Sequence, residues 1–237
     1  LKLILETNGF VQFKIKKQDS GIWVIDIPPE DMEKPKFWEK AKKDLSKKDK
    51  KLGKIIKNYP SDFLFSKSDP FYTLSRSIVG QQISVIAAQA VWDRLENKLK
   101  RINPTIINKT HHMTLKSCGL SRQKITYLKS LSSAFLDKKI NPKLWSRKED
   151  DYIIHELVQI KGIGKWTAEM FLIFNLCRPN IFPADDLGLI KGICNCYNLK
   201  YPISKDHALN LSKKWEPWRS VATWYFWRSL DPIPVEY

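Results

Sequence analysis

Two glycines separated by one residue stand between two helical patterns, and this spacing constrains the fold more than any other feature of the chain. Residues 149–160 and 165–177 repeat apolar side chains at helical intervals, and Gly162, Ile163 and Gly164 lie between them. A turn this short needs glycine, for a positive φ or for close approach of the backbone, at Gly162 and Gly164. The sequence therefore predicts an αα-hairpin with Ile163 directed between the helices.

The second helix of this hairpin begins at the turn, so its first backbone N–H groups have no partner within the helix. These donors and the positive end of the helix dipole form a small anion site, beside which Lys165 adds a charge. Such a site suits a phosphate group, a contact that positions a nucleic acid without reading its sequence. A glycine-capped hairpin with no ligand is the alternative, and other parts of the chain decide between the two.

The charge of the chain favours a polyanionic partner. Lys and Arg number 41 against 25 Asp and Glu, a formal net charge of +16. Nucleic acid is the first candidate and an anionic membrane surface the second, although a lysine-rich composition alone also gives a basic surface. No apolar run approaches the roughly 20 residues of a bilayer span and the start of the chain lacks a signal-peptide pattern, so we expect an intracellular protein with no membrane partner.

Cysteine and histidine spacing argues against a metal site. The four cysteines form neither a CxxC pair nor a regular framework, so we expect reduced, mostly buried thiols without disulfides or structural zinc. His111 and His112 are adjacent, whereas His155 and His207 stand alone, and none has metal-ligand spacing. The sequence predicts no catalytic metal.

Hydrophobic patterning predicts a mainly α protein. Loosely alternating apolar residues over 10–27 predict a short N-terminal β-hairpin, and residues 30–58, rich in Lys and Glu, predict exposed helix and connector. Helical patterns then dominate over 71–99, 114–119, 122–138, 149–160, 165–177, 186–197 and 205–230, the last in one or two pieces.

Two adjacent acids follow the hairpin in the stretch IFPADDLGLIKG at 181–192. A helical pattern begins directly after them, so Asp185 and Asp186 lie where a helix starts. A carboxylate at a helix N-terminus is stabilised as the anion, which suits stabilising a cation or orienting a water molecule for attack. The competing interpretation makes both acids ordinary N-cap residues.

Tryptophans are unusually dense in the stretch WEPWRSVATWYFW at 215–227. Electron-rich indole rings suit a cationic aromatic ligand, which they hold by stacking and cation–π attraction. Tryptophans at helical spacing also fill cores, and we expect Trp215, Trp218 and Trp224 to do mostly that.

Four ordered motifs give the chain a resemblance to a known family. LVQIKGIGKWTAEM at 157–170 resembles the hairpin of the helix-hairpin-helix (HhH-GPD) DNA glycosylase superfamily, although Lys161 stands where a proline is common. The stretch at 215–227 resembles the C-terminal signature of the 3-methyladenine DNA glycosylase II branch, the AlkA-like enzymes. FYTLSRSIVGQQIS at 71–84 and LKSCGLSRQK at 115–124 continue the resemblance, which runs from Phe71 to Trp227.

The resemblance implies a monofunctional DNA glycosylase of base excision repair. Such an enzyme flips alkylated purines, of the 3-methyladenine and 7-methylguanine type, out of double-stranded DNA and removes them by hydrolysis, leaving an abasic site. The catalytic carboxylate would be Asp186. The phosphate-binding residues would be Gly162, Gly164, Lys165 and Thr167, and the base pocket would be formed by Trp166, Met170 and Trp227.

The resemblance also implies what the chain lacks. Bifunctional members carry a Schiff-base lysine where this chain has Trp166, so we expect base removal without strand cleavage. The iron–sulfur branch needs four closely spaced cysteines near the C-terminus, and these cysteines do not provide them, so no cluster is expected. No cofactor is implied, and a monovalent cation on the backbone carbonyls of the hairpin stays open.

A side chain must fill the gap that an extruded base leaves in the duplex. The resemblance places this wedge in the loop at 120–122, where position-by-position matching indicates Arg122 and physical chemistry favours apolar Leu120. Gln81 and Gln82 contact DNA near the gap in one interpretation and tie two helices together in another.

The implied architecture is two helical subdomains flanking a cleft. Residues 1–33 form the N-terminal β-hairpin segment, a reduced version of, or a substitute for, the β-domain of AlkA-like enzymes. Residues 34–237 form the glycosylase domain, with one subdomain over 72–178 and a second that combines 34–71 with 179–237, in a monomeric protein. Two alternatives stay open: a glycosylase for oxidised or deaminated bases, and a non-enzymatic helix-hairpin-helix DNA-binding protein.

Overall fold

The structure is a computed structural model that describes residues 14–17, 23–26, 34–64 and 69–230. The chain divides into two compact units, residues 1–34 and 35–237. In the first unit, strands β1 (Lys14–Lys17) and β2 (Trp23–Asp26) pair in antiparallel register, with Lys14 opposite Asp26. The other residues of the hairpin predicted over 10–27 lie outside the described residues, so that segment as a whole stays a prediction.

The second unit is helical, which confirms the mainly α prediction. Its helices within the described residues are α1 (Trp38–Lys48), α2 (Lys50–Asn58), α3 (Pro70–Gly80), α4 (Val85–Leu99), α5 (Pro104–Lys109), α6 (His112–Ser117), α7 (Arg122–Leu136), α8 (Pro142–Trp145), α9 (Asp150–Val158), α10 (Lys165–Phe174), α11 (Leu187–Tyr197), α12 (Lys205–Ser212) and α13 (Arg219–Arg228). A 3-10 helix (Lys213–Trp215) joins α12 to the segment before α13.

The single helix predicted over 71–99 is wrong, because the chain breaks it into α3 and α4. Gln81 leaves the helical conformation at a ψ of 131°, and Gln82 follows with a φ of +59°. The hydroxyl of Ser84 then caps α4 by accepting from the Ala87 N–H at 3.2 Å. The break exposes a two-glutamine turn beside the predicted anion site.

Helix contacts fall mainly into two sets. In one set, α3 packs on α4, α7 and α10, while α5 and α6 pack on α7 and α9 packs on α10. In the other set, α1, α2, α11 and α13 pack on one another, and the 3-10 helix contacts α1 and α12. The compact unit 35–237 contains both sets, so the predicted subdomain boundaries at 72–178 and 34–71 with 179–237 stay a prediction.

The tryptophans predicted for the core lie there, apart from Trp218. Trp215 and Trp224 are buried, and the Trp215 ring centroid lies 4.9 Å from that of Phe226. Trp218 is half-buried and stacks on Phe37 at 5.7 Å. These rings hold α13 against α1 and α11, and α13 is the helix that ends at Trp227.

A buried carboxylate ties the second set of helices together. Asp49 caps α2 by accepting from the backbone N–H groups of Lys51 and Leu52, each at 3.1 Å. It also accepts from the hydroxyl of Tyr197, from Trp215 Nε1 at 2.9 Å and from Lys214 Nζ at 2.9 Å. One side chain therefore joins the start of α2 to the end of α11 and to the 3-10 helix.

Asp49 is expected to make the protein sensitive to acid. Burial acts to raise the pKa of Asp49, but the hydrogen bonds from Trp215, Tyr197 and Lys214 outweigh it and lower the pKa from 3.8 to about 2. Because the folded pKa is the lower one, this stability is present above pH 3.8 and is lost as the pH falls through about 2, a loss of roughly 2 kcal/mol. Urea unfolding at pH 5 and pH 2.5 should give a smaller difference in Asp49→Asn than in the parent, and an equal difference would contradict the prediction.

Candidate active site

The hairpin predicted from the two glycines is present, and Gly162 meets the predicted requirement. Helix α9 ends at Val158, α10 begins at Lys165, and Gly162 lies between them with a φ of +96°. A Cβ added at Gly162 would lie 2.2 Å from Cγ of Tyr127, a side chain of α7. Both the backbone conformation and the close approach of Tyr127 therefore require glycine at this position.

Gly164 does not meet that requirement. The prediction that its backbone needs a positive φ or a close approach is wrong for contacts within the protein. Its φ of −90° is open to any residue, and a Cβ added there would meet no atom within 4 Å. Gly164 is the N-cap of α10 without a side-chain cap, so no capping side chain accepts from the first N–H groups of the helix. An anion beside this open position would reach them.

The other predicted phosphate-binding residues differ in exposure. Lys165 projects into solvent, with 61% of its side chain exposed, and its Nζ lies 3.8 Å from Oε1 of Glu169. Thr167 is buried, so little of its side chain is open to an anion, and its assignment as a phosphate-binding residue stays a prediction.

Gln81 fixes the turn between α3 and α4 to the hairpin. Its Nε2 donates to the carbonyl oxygen of Gly162 at 2.9 Å, which matches the interpretation of this glutamine as a tie between elements. The adjacent Gln82 is exposed at its positive φ. An open cavity of about 700 Å³ lies between this turn, the start of α7 and the hairpin, and Trp166 and Thr167 line it as well.

Asp186 receives three hydrogen bonds from three elements. As the N-cap of α11, its Oδ1 accepts from the Leu189 N–H at 2.6 Å. Oδ1 also accepts from Trp227 Nε1 at 2.9 Å, and Oδ2 accepts from Trp166 Nε1 at 2.8 Å. The half-buried carboxylate is therefore a helix cap that α10 and α13 also hold in place.

Asp185 forms an ion pair and does not cap α11. Both of its carboxylate oxygens accept from Lys205 Nζ, at 2.7 and 2.6 Å, and both side chains are about half exposed. This pair links the segment before α11 to the first turn of α12. The competing interpretation of two ordinary caps is thus wrong for Asp185.

The predicted base-pocket residues do not share one surface. Trp166 is half-buried beside Asp186. Trp227 is only 7% exposed and stacks on Phe174 with ring centroids 5.7 Å apart, so it binds the Asp186 carboxylate from the buried side. Met170 is 1% exposed and lies in the core, which corrects its assignment to the pocket surface.

Gly188 is a site residue that sequence reasoning missed. A Cβ at this position would lie 3.2 Å from Oδ1 of Asp186 and 3.6 Å from Cδ1 of Trp227. Because glycine has no side chain, the indole of Trp227 has room to reach the carboxylate of Asp186. The only sequence signal was a glycine in the first turn of a helix, where the residue is otherwise unfavourable.

The two wedge candidates of the loop at 120–122 differ in how far their side chains are exposed. Leu120 is 3% exposed and packs in the core, so its assignment as a wedge is wrong for this conformation. Arg122 is exposed as the first residue of α7, directly after Ser121, which caps that helix. Gln82, which lines the cavity, is exposed as well, so the exposed candidates are Arg122 and Gln82.

Glu169 is expected to make the folded protein less stable as the pH rises towards neutrality. Burial raises its pKa from 4.5 to about 7, and Asp185 adds to this while Lys165 and Lys205 oppose it. Because the folded pKa is the higher one, this contribution to stability is full below pH 4.5 and is lost by about pH 7, roughly 3 kcal/mol. In Glu169→Gln, the free energy of unfolding measured with urea should therefore not fall between pH 5 and pH 7.5 by the amount that it falls in the parent protein.

The matched control for this test is Glu149→Gln, which removes an exposed acid at the far end of α9. It should keep the pH dependence of the parent protein. A Glu169→Gln variant that still loses stability between pH 5 and pH 7.5 would contradict the assignment.

Residues 75–217 match the family described as HhH-GPD superfamily base excision DNA repair protein, a match over more than half of the chain. The chain belongs to this superfamily. A similar relative is DNA-3-methyladenine glycosylase 1 of Schizosaccharomyces pombe, which is 34% identical over 184 residues, 76% of this chain and 81% of the relative. The resemblance drawn from the four motifs, including its AlkA-like branch, is confirmed.

Two solved structures share the fold of this superfamily member. The Schizosaccharomyces pombe 3-methyladenine DNA glycosylase in complex with abasic DNA has a TM-score of 0.71 and 33% identity, covering 80% of this chain and 96% of that one. The DNA-3-methyladenine glycosidase of Bacillus halodurans has a TM-score of 0.72 and 30% identity, covering 80% of this chain and 88% of that one.

Two classes of feature are absent from the described part of the chain. None of its helices is both long and apolar enough to cross a membrane. Within the same residues, no three side chains of His, Cys, Asp or Glu come together as metal ligands. Cys118, Cys177, Cys194 and Cys196 are free, the first and third buried and the other two half-buried.

Proposed function

We propose that this chain is a monofunctional DNA glycosylase that removes alkylated purines of the 3-methyladenine and 7-methylguanine type from double-stranded DNA in base excision repair. The observation that carries the proposal is the Asp186 carboxylate, held by Trp166, Trp227 and the Leu189 N–H next to the anion site of the hairpin. The names of the relatives, DNA-3-methyladenine glycosylase in yeast and bacteria alike, support the substrate class.

The chemistry follows from the placement of the carboxylate. The C1′–N bond of the damaged nucleotide breaks, its electron pair goes to the base, and a cationic methylated base leaves as a neutral one. Positive charge develops on the sugar, where a fixed anion stabilises it. Water then bonds to C1′ and gives one proton to Asp186, which leaves an abasic sugar with a hydroxyl at C1′.

The three hydrogen bonds leave one acceptor site on the Asp186 carboxylate. A carboxylate has about four acceptor sites, and Trp227, Leu189 and Trp166 occupy three of those of Asp186. The fourth, on Oδ2, is available to water or to the sugar. The two indoles therefore act as positioning groups, which hold the carboxylate still while charge develops.

Two observations support hydrolysis without strand cleavage. Trp166 stands where bifunctional relatives carry an amine, and its Nε1 is bound to Asp186. The neighbouring Lys165 has 61% of its side chain exposed, and the Glu169 carboxylate lies 3.8 Å from its Nζ, so this amine has an acidic partner other than Asp186. A product with an intact strand that breaks only after alkali is the expected result.

DNA is held at two places in this proposal. The open N-terminus of α10 at Gly164 takes a backbone phosphate, to which Lys165 adds a charge. Gln82, which lines the cavity, and Arg122, exposed between the lining residues Ser121 and Gln123, fill the gap in the duplex and contact the strand opposite. Trp166, half-buried at the cavity, stacks with the extruded cationic base.

The remaining parts of the proposal concern organisation. The helical subdomains over 72–178 and 34–71 with 179–237 flank the site, since the hairpin comes from the first and Asp186 from the second. The N-terminal segment 1–33, with its strands β1 and β2, is the counterpart of the β-domain of AlkA-like enzymes. The protein works as a monomer on chromosomal DNA.

The test is release of bases from defined duplexes. The protein is incubated with duplexes that carry one 3-methyladenine or one 7-methylguanine, and the products are analysed with and without an alkali step. We expect base release and alkali-dependent strand breaks. A duplex panel with 8-oxoguanine, uracil and hypoxanthine should give much slower release. Faster release from any of these would replace alkylated purines as the substrate. Release from no duplex, methylated or otherwise, would leave a DNA-binding protein only.

Trp227→Phe is expected to slow excision by about 10- to 100-fold in single-turnover experiments. Phenylalanine can keep the stack on Phe174 but has no Nε1 to donate to Asp186, and a hydrogen bond to a charged group contributes about 1.5–3 kcal/mol. The matched control is Trp218→Phe, which loses an Nε1 donor to Asp44 instead. Equal rates in the two variants would contradict the positioning role.

A further inference from the structure

Half of the net charge of the chain lies in one short segment that the proposed site does not use. Residues 34–57 contain eleven lysines against three acids, a net +8 of the formal +16 of the whole chain. This segment forms α1 and α2, the helices that pack on α13 and on each other. Such a concentration of one sign of charge raises the local concentration of a polyanion.

Each of the three acids of this segment binds a neighbouring side chain outside the six lysines described next. Asp49 is buried and binds Lys214 and Trp215. Asp44 accepts from Trp218 Nε1 at 3.0 Å. Glu39 pairs with Lys42 at 3.2 Å, within one turn of α1.

Six lysines stand on the outer sides of the two helices. On α1, Trp38, Ala41 and Leu45 are buried, and the lysines at 40, 43 and 47 lie on the opposite side with spacings of three and four residues. On α2, the lysines at 50, 54 and 57 repeat at the same intervals away from Leu52 and Ile56. All six are exposed, and together they are named the lysine face: Lys40, Lys43, Lys47, Lys50, Lys54 and Lys57.

Helix α11 spans the distance between the proposed catalytic carboxylate and the residue before α2. Asp186 caps the start of α11, and Tyr197 at its end binds Asp49, the residue directly before α2. Eleven helical residues at 1.5 Å each place these ends about 16 Å apart. Duplex DNA carries a charge about every 1.7 Å, so one duplex presents phosphates over that whole distance.

We propose that the lysine face is a second DNA-binding surface, which holds the duplex through its phosphates whether or not the DNA contains a lesion. Exposed lysines on helices contact phosphates as flexible point charges and read no sequence, which suits a protein that must examine undamaged DNA. The proposal rests on the proposed function only for its partner, duplex DNA. Anionic lipid is the competing partner for such a surface.

The test compares two variants of equal charge. In the first, Lys40, Lys43, Lys47 and Lys54 are changed to Gln. In the second, the exposed lysines Lys98, Lys109, Lys138 and Lys143, which lie on or beside α4, α5, α7 and α8, are changed to Gln. Binding to an undamaged duplex is measured by anisotropy from about 50 to 300 mM salt, and single-turnover excision is measured at saturating protein.

The expected result is a change in the salt dependence of binding. Each lost phosphate contact lowers the slope of log K against log salt by about 0.9, so the lysine-face variant should lose about 2 to 4 in slope and the control variant less than about 1. Excision at saturation should be unchanged in the lysine-face variant. Equal slopes in the two variants would overturn the proposal. A lysine-face variant that binds anionic vesicles less than the parent does, but binds DNA as the parent does, would also overturn it.

This result is independent of the proposed activity. If the parent protein released no base but the lysine-face variant lost its slope, the proposed function would fail and the lysine face would stand. If excision took place and the slopes were equal, the reverse would hold. Thermal unfolding of both variants checks that the change in slope does not come from loss of the fold.

Discussion

Asp186→Asn is expected to lower single-turnover excision of 3-methyladenine by about 10³-fold or more. Asparagine keeps an acceptor for the Leu189 N–H, but it carries no negative charge to stabilise the sugar cation and accept a proton from water. It also has only one acceptor oxygen for the donors Trp166 and Trp227, which bind different oxygens of Asp186. One of the two indoles would therefore face an amide N–H group.

The matched control is Asp185→Asn. This variant loses the ion pair with Lys205, an exposed pair worth little energy, and should excise within a few-fold of the parent rate. Asp186→Asn should still bind a duplex that contains an abasic-site analogue, because the hairpin and its anion site are unchanged. An Asp186→Asn variant with a tenth of the parent rate would show that another group does the chemistry.

The sequence predicted the parts of this site that depend on local structure. The hairpin follows from two glycines between helical patterns, and its turn has the positive φ that was expected at Gly162. Asp186 follows from its position before a helical pattern, and it is the N-cap of α11. Caps and tight turns depend on neighbours in sequence, so local residue types are enough to predict them.

What the sequence did not predict depends on contacts between distant segments. Two tryptophans, 20 residues before and 41 residues after Asp186, donate to the same carboxylate, and no local pattern indicates that they meet there. The break between α3 and α4 likewise occurs at Gln81, which binds the carbonyl of Gly162, 81 residues away. Helical periodicity continued through this break because Gln and Ile are both compatible with a helix.

Burial limits three of the assigned side chains, whichever argument led to them. Thr167 and Met170 were assigned by their positions in a motif and Leu120 by its apolar side chain, yet each is less than 5% exposed. A helical pattern predicts which side of a helix is apolar, but it does not say whether that side meets the core or a cleft. For Leu120, an apolar side chain that suits stacking between bases suits the core equally well.

Gly162→Ala and Gly164→Ala are expected to separate the two tasks of the hairpin. Alanine at position 162 would place Cβ 2.2 Å from Tyr127 Cγ at a φ of +96°, so either the turn or the Tyr127 ring must move. A strained backbone costs about 1–3 kcal/mol and overpacking about 1–3 kcal/mol more, so the loss of stability should be about 4 kcal/mol. Thermal unfolding should occur about 10 °C lower.

Gly164→Ala should behave in the opposite way. Its φ of −90° accommodates alanine, and its Cβ would meet no protein atom within 4 Å, so the unfolding temperature should stay within about 2 °C of the parent. The methyl group would instead occupy the open space before the N–H groups of α10, and a phosphate could no longer approach them closely. Affinity for duplex DNA should fall about tenfold or more, measured by anisotropy at fixed salt. A Gly164→Ala variant that binds DNA as the parent does would remove the phosphate site from the hairpin, and a Gly162→Ala variant of parental stability would contradict the packing of Tyr127 against the turn.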